Sequence, residues 1–520
     1  PDMGAPEANP LNADNAAPTV STAIEETFGG KAPLGGALGG AFLAGAPPYQ
    51  RNMLQLIGIV KVTNAIAIFL PIFTEGAYEP SSCAAPRAQW VAPFRGSVAY
   101  EWSLCCGQHW VLAAISSVFF VGMTFGSVLG GIAADSIGRR NVIIHGISIN
   151  AVSLFLTAVV PDVLTYTFFR FVMGVASMAI LVAVYSLAVE WVPAGWRCPL
   201  IAFLSMLFAA GELSLVPMAL AVEHLISFGW RPLTLAAGLI CTIPVLAFWF
   251  IPESPQWLHA RGRDKEAIDA LSRAANYNAR SCQTGNFALV ADRLSTFGLA
   301  QRHEATSDSK KDRPSPIDIF TQVLLSVKIY ALALMWFTGS LTYYGITLAA
   351  AETSKSLGLN AFATLSACIE IPAALLAAWM LEQVSFGRKL SVSMLFTLGG
   401  TCAMAMPFTG PLAGPAVVVL GKFFFTAATT GLFVYTTELY EASIRGSCLG
   451  LCSLAAKIGA IGAPYTVMFL STNQMMLVFG SFALLAALAC RLVLPETLET
   501  KRCNAEHPST SKGVHYGTCS

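Results

Sequence analysis

The chain has 520 residues, of which 55% are hydrophobic and only 12% charged, and its formal net charge is +1. Soluble domains carry about 25% charged residues, so a chain of this size cannot cover a water-facing surface, and lipid must be the solvent for much of it. The balanced charge leaves no electrostatic footprint for nucleic acid. The 13 cysteines form no paired C-x-x-C spacing that would hold zinc, and no Gly-rich nucleotide loop is present, so neither a metal nor another cofactor is expected.

In chain order, residues 1–50 are rich in Ala, Gly and Pro and are expected to be a disordered cytoplasmic lead. A spanning helix needs about 20 largely apolar residues. Twelve such segments follow, near 53–73, 109–134, 141–160, 163–187, 199–222, 233–251, 326–349, 361–381, 389–408, 412–436, 446–470 and 475–494. They predict an all-α membrane protein of two six-helix halves, 51–251 and 326–495, with a cytoplasmic loop over 252–325 and a cytoplasmic tail over 496–520. Short helices and then a flexible tether are expected in 252–325.

Lys and Arg concentrate on the cytoplasmic side of membrane proteins. Arg139, Arg140, Arg197, Arg388, Lys389 and Arg445 share one side with the basic 252–325 segment, and the other side holds only Arg87, Arg95, Arg231 and Lys355. Both termini are therefore expected in the cytoplasm of a cell-membrane protein, with the 74–108 loop outside. In an oxidising exterior Cys83 could pair with Cys105 or Cys106, or all three could stay free thiols.

The halves carry an internal repeat. E-W-V-P-A-G-W-R at 190–197 ends the fourth span, and E-L-Y-E-A-S-I-R at 438–445 ends the tenth. Asp135, Gly138, Arg139 and Arg140 follow the second span as Glu382, Gly387, Arg388 and Lys389 follow the eighth, and Arg170 and Lys422 open the fourth and tenth. Two six-span halves repeated in parallel match the arrangement of major facilitator transporters. An acid, a turn glycine and basic residues in a short loop can clamp helix ends with charge pairs that break when the halves rock apart. Asp135, Arg139, Arg140, Glu190, Arg197, Glu382, Arg388, Glu438 and Arg445 are thus gating candidates.

Several stretches are more specific: A-D-S-I-G-R-R at 134–140, Y-S-L-A-V-E-W-V at 185–192, P-E-S-P-Q-W-L at 252–258, T-Y-Y-G at 342–345, E-I-P at 370–372, T-E-L-Y-E-A-S-I-R at 437–445 and L-P-E-T-L at 494–498. On these the sequence resembles solute carrier family 22, the organic cation, anion and carnitine transporters, over about residues 50–500. It departs from that pattern at Ser136 and Gln256, where the family usually has Arg, and in a shorter outer loop. The resemblance implies a divergent member.

Charge inside a span costs about 2.5–3.5 kcal/mol and survives mainly where it faces a partner, water or a cavity. Lys457 sits mid-span, roughly 18 Å along the helix from Arg445. By the resemblance its position is acidic in cation carriers and basic in anion and carnitine carriers. Its alternative is a structural pair with Glu212 or Glu370. Glu370, before Pro372, matches an acidic position of the cation branch, and Ala374 stands where anion carriers are basic. An organic anion, or a zwitterion held by Lys457 and Glu370 together, fits these charges best. Tyr343, Tyr344 and the Phe423, Phe424, Phe425, Phe433 and Tyr435 group offer aromatic walls or simple packing, and Asn64 offers a polar contact or an interhelical hydrogen bond. Lys61 and Lys422, nearer span ends, are read as snorkelling.

The expected function is alternating-access transport of small organic anions or zwitterions, with no covalent chemistry, lipid as the surrounding partner, and coupling ion and oligomeric state left open. Alternatives are an organic cation or sugar carrier of the same fold, or a receptor or scaffold that kept the fold.

Overall fold

The computed structural model describes residues 19–28, 45–75, 96–104, 108, 110–193, 196–225, 229–248, 250–281, 326–349, 359–383, 386–410, 413–440 and 442–497. Cys83, Cys105 and Cys106 lie outside them, as do 282–325 and the tail beyond Thr497. Among the described residues each of the twelve apolar segments is largely helical. Among the described residues, nine helices are long and apolar enough to cross a membrane, and 230–246 forms a shorter apolar helix.

The chain divides into two compact units, Pro1–Leu70 with Val121–Arg313 and Pro71–Phe120 with Pro314–Ser520. The first contains α1 (Val20–Phe28), α2 (Pro48–Phe69), most of α3 (Trp110–Ile137), α4 (Arg139–Thr157), α5 (Val163–Glu190), α6 (Arg197–Leu225), α7 (Trp230–Phe248), α8 (Pro255–Ala260) and α9 (Asp264–Ser281). The second contains α10 (Val327–Leu348), α11 (Leu359–Cys368), α12 (Glu370–Glu382), α13 (Gly387–Ala405), α14 (Gly414–Leu439), α15 (Ala442–Phe469) and α16 (Thr472–Val493).

Local chemistry sets the helix ends. Pro48 opens α2 where a missing N–H costs nothing. Asp162 caps α5 by accepting from the Thr165 N–H, and Ser471 with Gln474 forms a capping box on α16. The eighth apolar segment breaks between α11 and α12, because Pro372 has no N–H to offer the Cys368 carbonyl one turn back. Within the first unit, Gly122, Gly126 and Gly130 bring α3 against the backbone of Phe171, Val175 and Ala179 on α5, so closely that a Cβ at any of the three would overlap α5. Small residues at every fourth position allow this approach in a membrane helix.

One expectation is corrected here. Residues 1–50 are not uniformly disordered: Val20–Phe28 is helical, with Val20, Ala23 and Ile24 buried in one apolar cluster with Ala270, Leu271 and Ala274 of α9. The first 50 residues are Ala- and Gly-rich on average, and that average hides the apolar stripe of this short helix.

Candidate functional site

The repeated loops form two matching charge clusters, one in each unit. In the first, Arg139 opens α4 and its guanidinium bonds Glu190, at the end of α5, at 3.2–3.3 Å, and pairs with Asp135 at 3.0 Å. In the second, Arg388 opens α13 and bonds Glu438, at the end of α14, at 3.1 Å. Arginine and carboxylate are 51 residues apart in one copy and 50 in the other. Each guanidinium also donates to the carbonyl of the preceding helix end, Arg139 to Ala134 and Arg388 to Leu381.

A second carboxylate completes each cluster. Glu253 accepts from the backbone N–H groups of Arg139 and Arg140 at 3.0–3.2 Å, and Glu496 accepts from those of Arg388 and Lys389 at 2.7–3.1 Å. An anion at a helix start satisfies its unpaired N–H groups and the positive end of its dipole. Gly138 and Gly387 make the approach possible. Both hold φ in the left-handed range, +100° and +65°, and a Cβ on either would run into the Glu253 or Glu496 carboxylate.

These contacts correct part of the gating assignment. Glu190 pairs with Arg139 and not with Arg197, which is exposed seven residues further along and has no ion pair among the described residues. Folding brings the arginine that opens α4 to the acid that ends α5. The side chains of Glu382 and Arg445 lie outside the described residues. Glu253 and Glu496 were missed as members of the clusters. Their signal was present as P-E-S at 252–254 and P-E-T at 495–497, one after each half.

The buried charges of the second unit centre on Lys422. Its ammonium lies 2.8 Å from Glu370 Oε1 and 2.7 Å from the Ser366 hydroxyl, and 5.2 Å from the centre of the Tyr343 ring. Its side chain is wholly buried. Snorkelling is therefore wrong for Lys422: it is a core lysine tied across α11, α12 and α14. Glu370, read as half of a zwitterion site, already has its cation. Tyr343 and Tyr344 meet edge to face at 5.2 Å, and Tyr344 lies 4.6 Å from Phe120. Phe425 is fully buried, Tyr435 donates its hydroxyl to the Pro495 carbonyl, and Phe433 packs on Trp336 at 4.4 Å. Those three rings are packing.

Lys457, on α15, is 8% exposed and has no hydrogen-bond or ion-pair partner among the described residues. The structural pair with Glu370, in the same unit, is not formed, since that carboxylate lies against Lys422. Glu212 is buried on α6.

In the first unit, Asn64 is taken up between helices. Its amide donates to the Ser177 carbonyl at 3.2 Å and its oxygen accepts from Asn150, which also donates to the Ser177 hydroxyl. The network joins α2, α4 and α5, so Asn64 is a structural contact. Lys61 does not snorkel either. It is 3% exposed, donates to the Tyr185 hydroxyl at 3.1 Å, and faces the Tyr185 and Phe208 rings at 4.3 and 4.8 Å.

Apolar helices in two repeated sets, each closed by the same arginine–carboxylate cluster, define the class, and comparison with known proteins agrees. The family model of the Major Facilitator Superfamily matches residues 107–464. The fold is similar to that of the xylose transporter XylE from E. coli in an inward open conformation, with a TM-score of 0.61 and 16% identity over 86% of this chain and 96% of that one. Among curated proteins, solute carrier family 22 member 7 of Sus scrofa is 32% identical over 84% of this chain and 77% of its own length, and the Mus musculus protein of that name is 30% identical over 85% and 79%. Solute carrier family 22 member 13 of Homo sapiens is 28% identical over 77% of this chain and 69% of its own length. The chain belongs to solute carrier family 22 of the major facilitator superfamily: it is a multi-pass membrane transporter and not an enzyme.

Proposed function

We propose that the transported solutes are small organic anions, carried by alternating access across the cell membrane, with both termini in the cytoplasm. The observation that carries this reading is Lys457, a buried ammonium with no counter-charge among the described residues. A lone cation in a span is expensive and needs an anion to offset it. Glu370 is neutralised by Lys422, which removes the acidic half of a zwitterion site and leaves the balance positive. Tyr344 and Phe120 offer an aromatic wall suited to an organic rather than a hydrated inorganic ion. The Arg139–Glu190 and Arg388–Glu438 clusters act as gates, since such pairs hold helix ends only while the ends stay adjacent.

Uptake of labelled organic anions, carnitine-like zwitterions and organic cations by the wild type, Lys457→Ala and Lys457→Asp tests the reading. Wild type is expected to prefer anions, and Lys457→Ala to weaken anion uptake about tenfold or more, the value of one charge-assisted hydrogen bond. Good cation uptake by the wild type, with anion uptake unchanged in Lys457→Ala, would sink it.

A further inference from the structure

The end of the helix before the turn is held differently in the two repeated clusters. In the second unit, among the described residues, the last carbonyls of α12 receive side chains from α13 alone, Arg388 on Leu381 and Ser391 on Met380. In the first unit the matching end of α3 is met from two sides. Arg139 on α4 donates to the Ala134 carbonyl, and α8 adds two donors of its own. The Trp257 indole N–H reaches the Asp135 carbonyl at 2.8 Å, and the Arg261 guanidinium reaches the Asp135 and Ser136 carbonyls at 2.5 and 3.3 Å.

α8 therefore straddles the α3–α4 turn with a charge at each end. Glu253, next to the Ser254 cap of α8, faces the amides that open α4, and Arg261, at the other end, faces the carbonyls that close α3. An anion at the start of one helix and a cation at the end of the other each answer the local pole and its unpaired backbone groups. Ser136 and Gln256 are uncharged, so the cation on the Asp135 and Ser136 carbonyls comes from Arg261. Trp257 is buried and carries that guanidinium 5.7 Å from its ring centre, which steadies it. Arg263, at the same distance, is committed to Glu266 by two bonds of 2.7 Å, whereas Arg261 pairs with no carboxylate among the described residues. The grip falls on Asp135, whose carboxylate pairs with Arg139 at 3.0 Å while its carbonyl is held by α8. A last turn without those donors frays and carries Asp135 away from Arg139.

We propose that Arg261, seated on Trp257, is a positioning residue of the first charge cluster. It fixes the end of α3 so that Asp135 stays within reach of Arg139, and so sets the rate of the conformational cycle without touching the solute. The inference rests on the gating role proposed for that cluster. It adds a residue from outside the repeated loops, with no counterpart among the described residues of the second unit.

Initial uptake rates are measured with the full chain in proteoliposomes, using whichever of labelled benzoate, carnitine and tetraethylammonium the wild type carries best. Arg261→Ala is expected to lower Vmax about threefold to tenfold, the range of one hydrogen bond, with KM unchanged. Arg261→Lys keeps a charged donor and is expected to stay close to wild type. A double-mutant cycle identifies the route: because Arg261 acts through Asp135, Arg261→Ala is expected to add no further loss to Asp135→Asn. Additive losses, an unchanged Vmax or a change in KM alone overturn the inference. Hydrogen–deuterium exchange around the α3–α4 turn gives a reading free of any solute. Faster exchange in Arg261→Ala is expected, and exchange as in the wild type overturns the proposal. If Arg261→Ala yields no folded protein, Arg261→Gln takes its place in every arm, with the same outcomes. Should Asp135→Asn slow uptake while Arg261→Ala does not, this residue falls and the gating reading stands. Should Asp135→Asn carry solute at the wild-type rate, both fall.

Discussion

Lys422 and Lys61 are lysines of the same kind of helix, apolar and almost wholly buried, yet a carboxylate stands beside Lys422 and rings stand in its place beside Lys61. Lys422 has a carboxylate, a hydroxyl and a ring; Lys61 has a hydroxyl and two rings. Depth in a span does not tell a structural charge from a functional one. The presence of an internal counter-ion does. On that criterion Lys422 belongs to the scaffold, whereas Lys61 and Lys457 have no ion-pair partner among the described residues.

The strongest way to break the comparison is to make Lys422 resemble Lys61. Glu370→Gln leaves a buried ammonium without its anion, and removing one member of a buried pair costs about 3–5 kcal/mol. The expected outcome is a large fall in the melting temperature of detergent-purified protein, largely restored by the double change Glu370→Gln with Lys422→Met. Equal stability of Glu370→Gln and wild type would mean the pair is not an ion pair in the folded protein.

A smaller effect sharpens the comparison. Ser366→Ala and Tyr185→Phe each delete the hydroxyl that accepts from a buried ammonium, and hydrogen bonds to charged groups are worth about 1.5–3 kcal/mol. Tyr185→Phe is expected to destabilise more than Ser366→Ala, because Lys61 keeps no carboxylate to fall back on. Thermal melting of the two variants side by side decides the order.

The smallest effect lies outside the spans, where water screens charge. Asp162 caps α5, and its carboxyl is held below the usual carboxylate range, first by the Thr165 backbone N–H and then by the Thr165 hydroxyl. A carboxyl lowered in the folded state contributes stability above its unfolded pKa and loses it as pH falls through the folded value. Asp162→Asn is expected to melt slightly below wild type at neutral pH, with the difference disappearing in acid.

Much of the architecture was legible because lipid imposes a simple rule: every run of about 20 apolar residues must be a helix. The repeat was legible as well, since Asp135, Arg139 and Glu190 have counterparts in Glu382, Arg388 and Glu438. The partners were not. Glu190 reaches back across 51 residues to Arg139, and Glu253 across 114, distances at which sequence spacing carries no geometric information. Lys422 and Glu370 were each visible as costly charges, but only the packing of α12 on α14 shows that each answers the other. The helix over Val20–Phe28 was concealed by the composition around it.

The Glu496 hook gives the exit from the last helix a role that a hydropathy profile hides. Glu496 holds the start of α13 through two amides, and the neighbouring Pro495 carbonyl receives the Tyr435 hydroxyl from the end of α14. A fluorescent reporter attached after Thr497 would leave that knot intact. Trimming the chain back to Leu494, the last apolar residue, would strip three donors, the two amides and the Tyr435 hydroxyl, of their acceptors and loosen the second half from its own end.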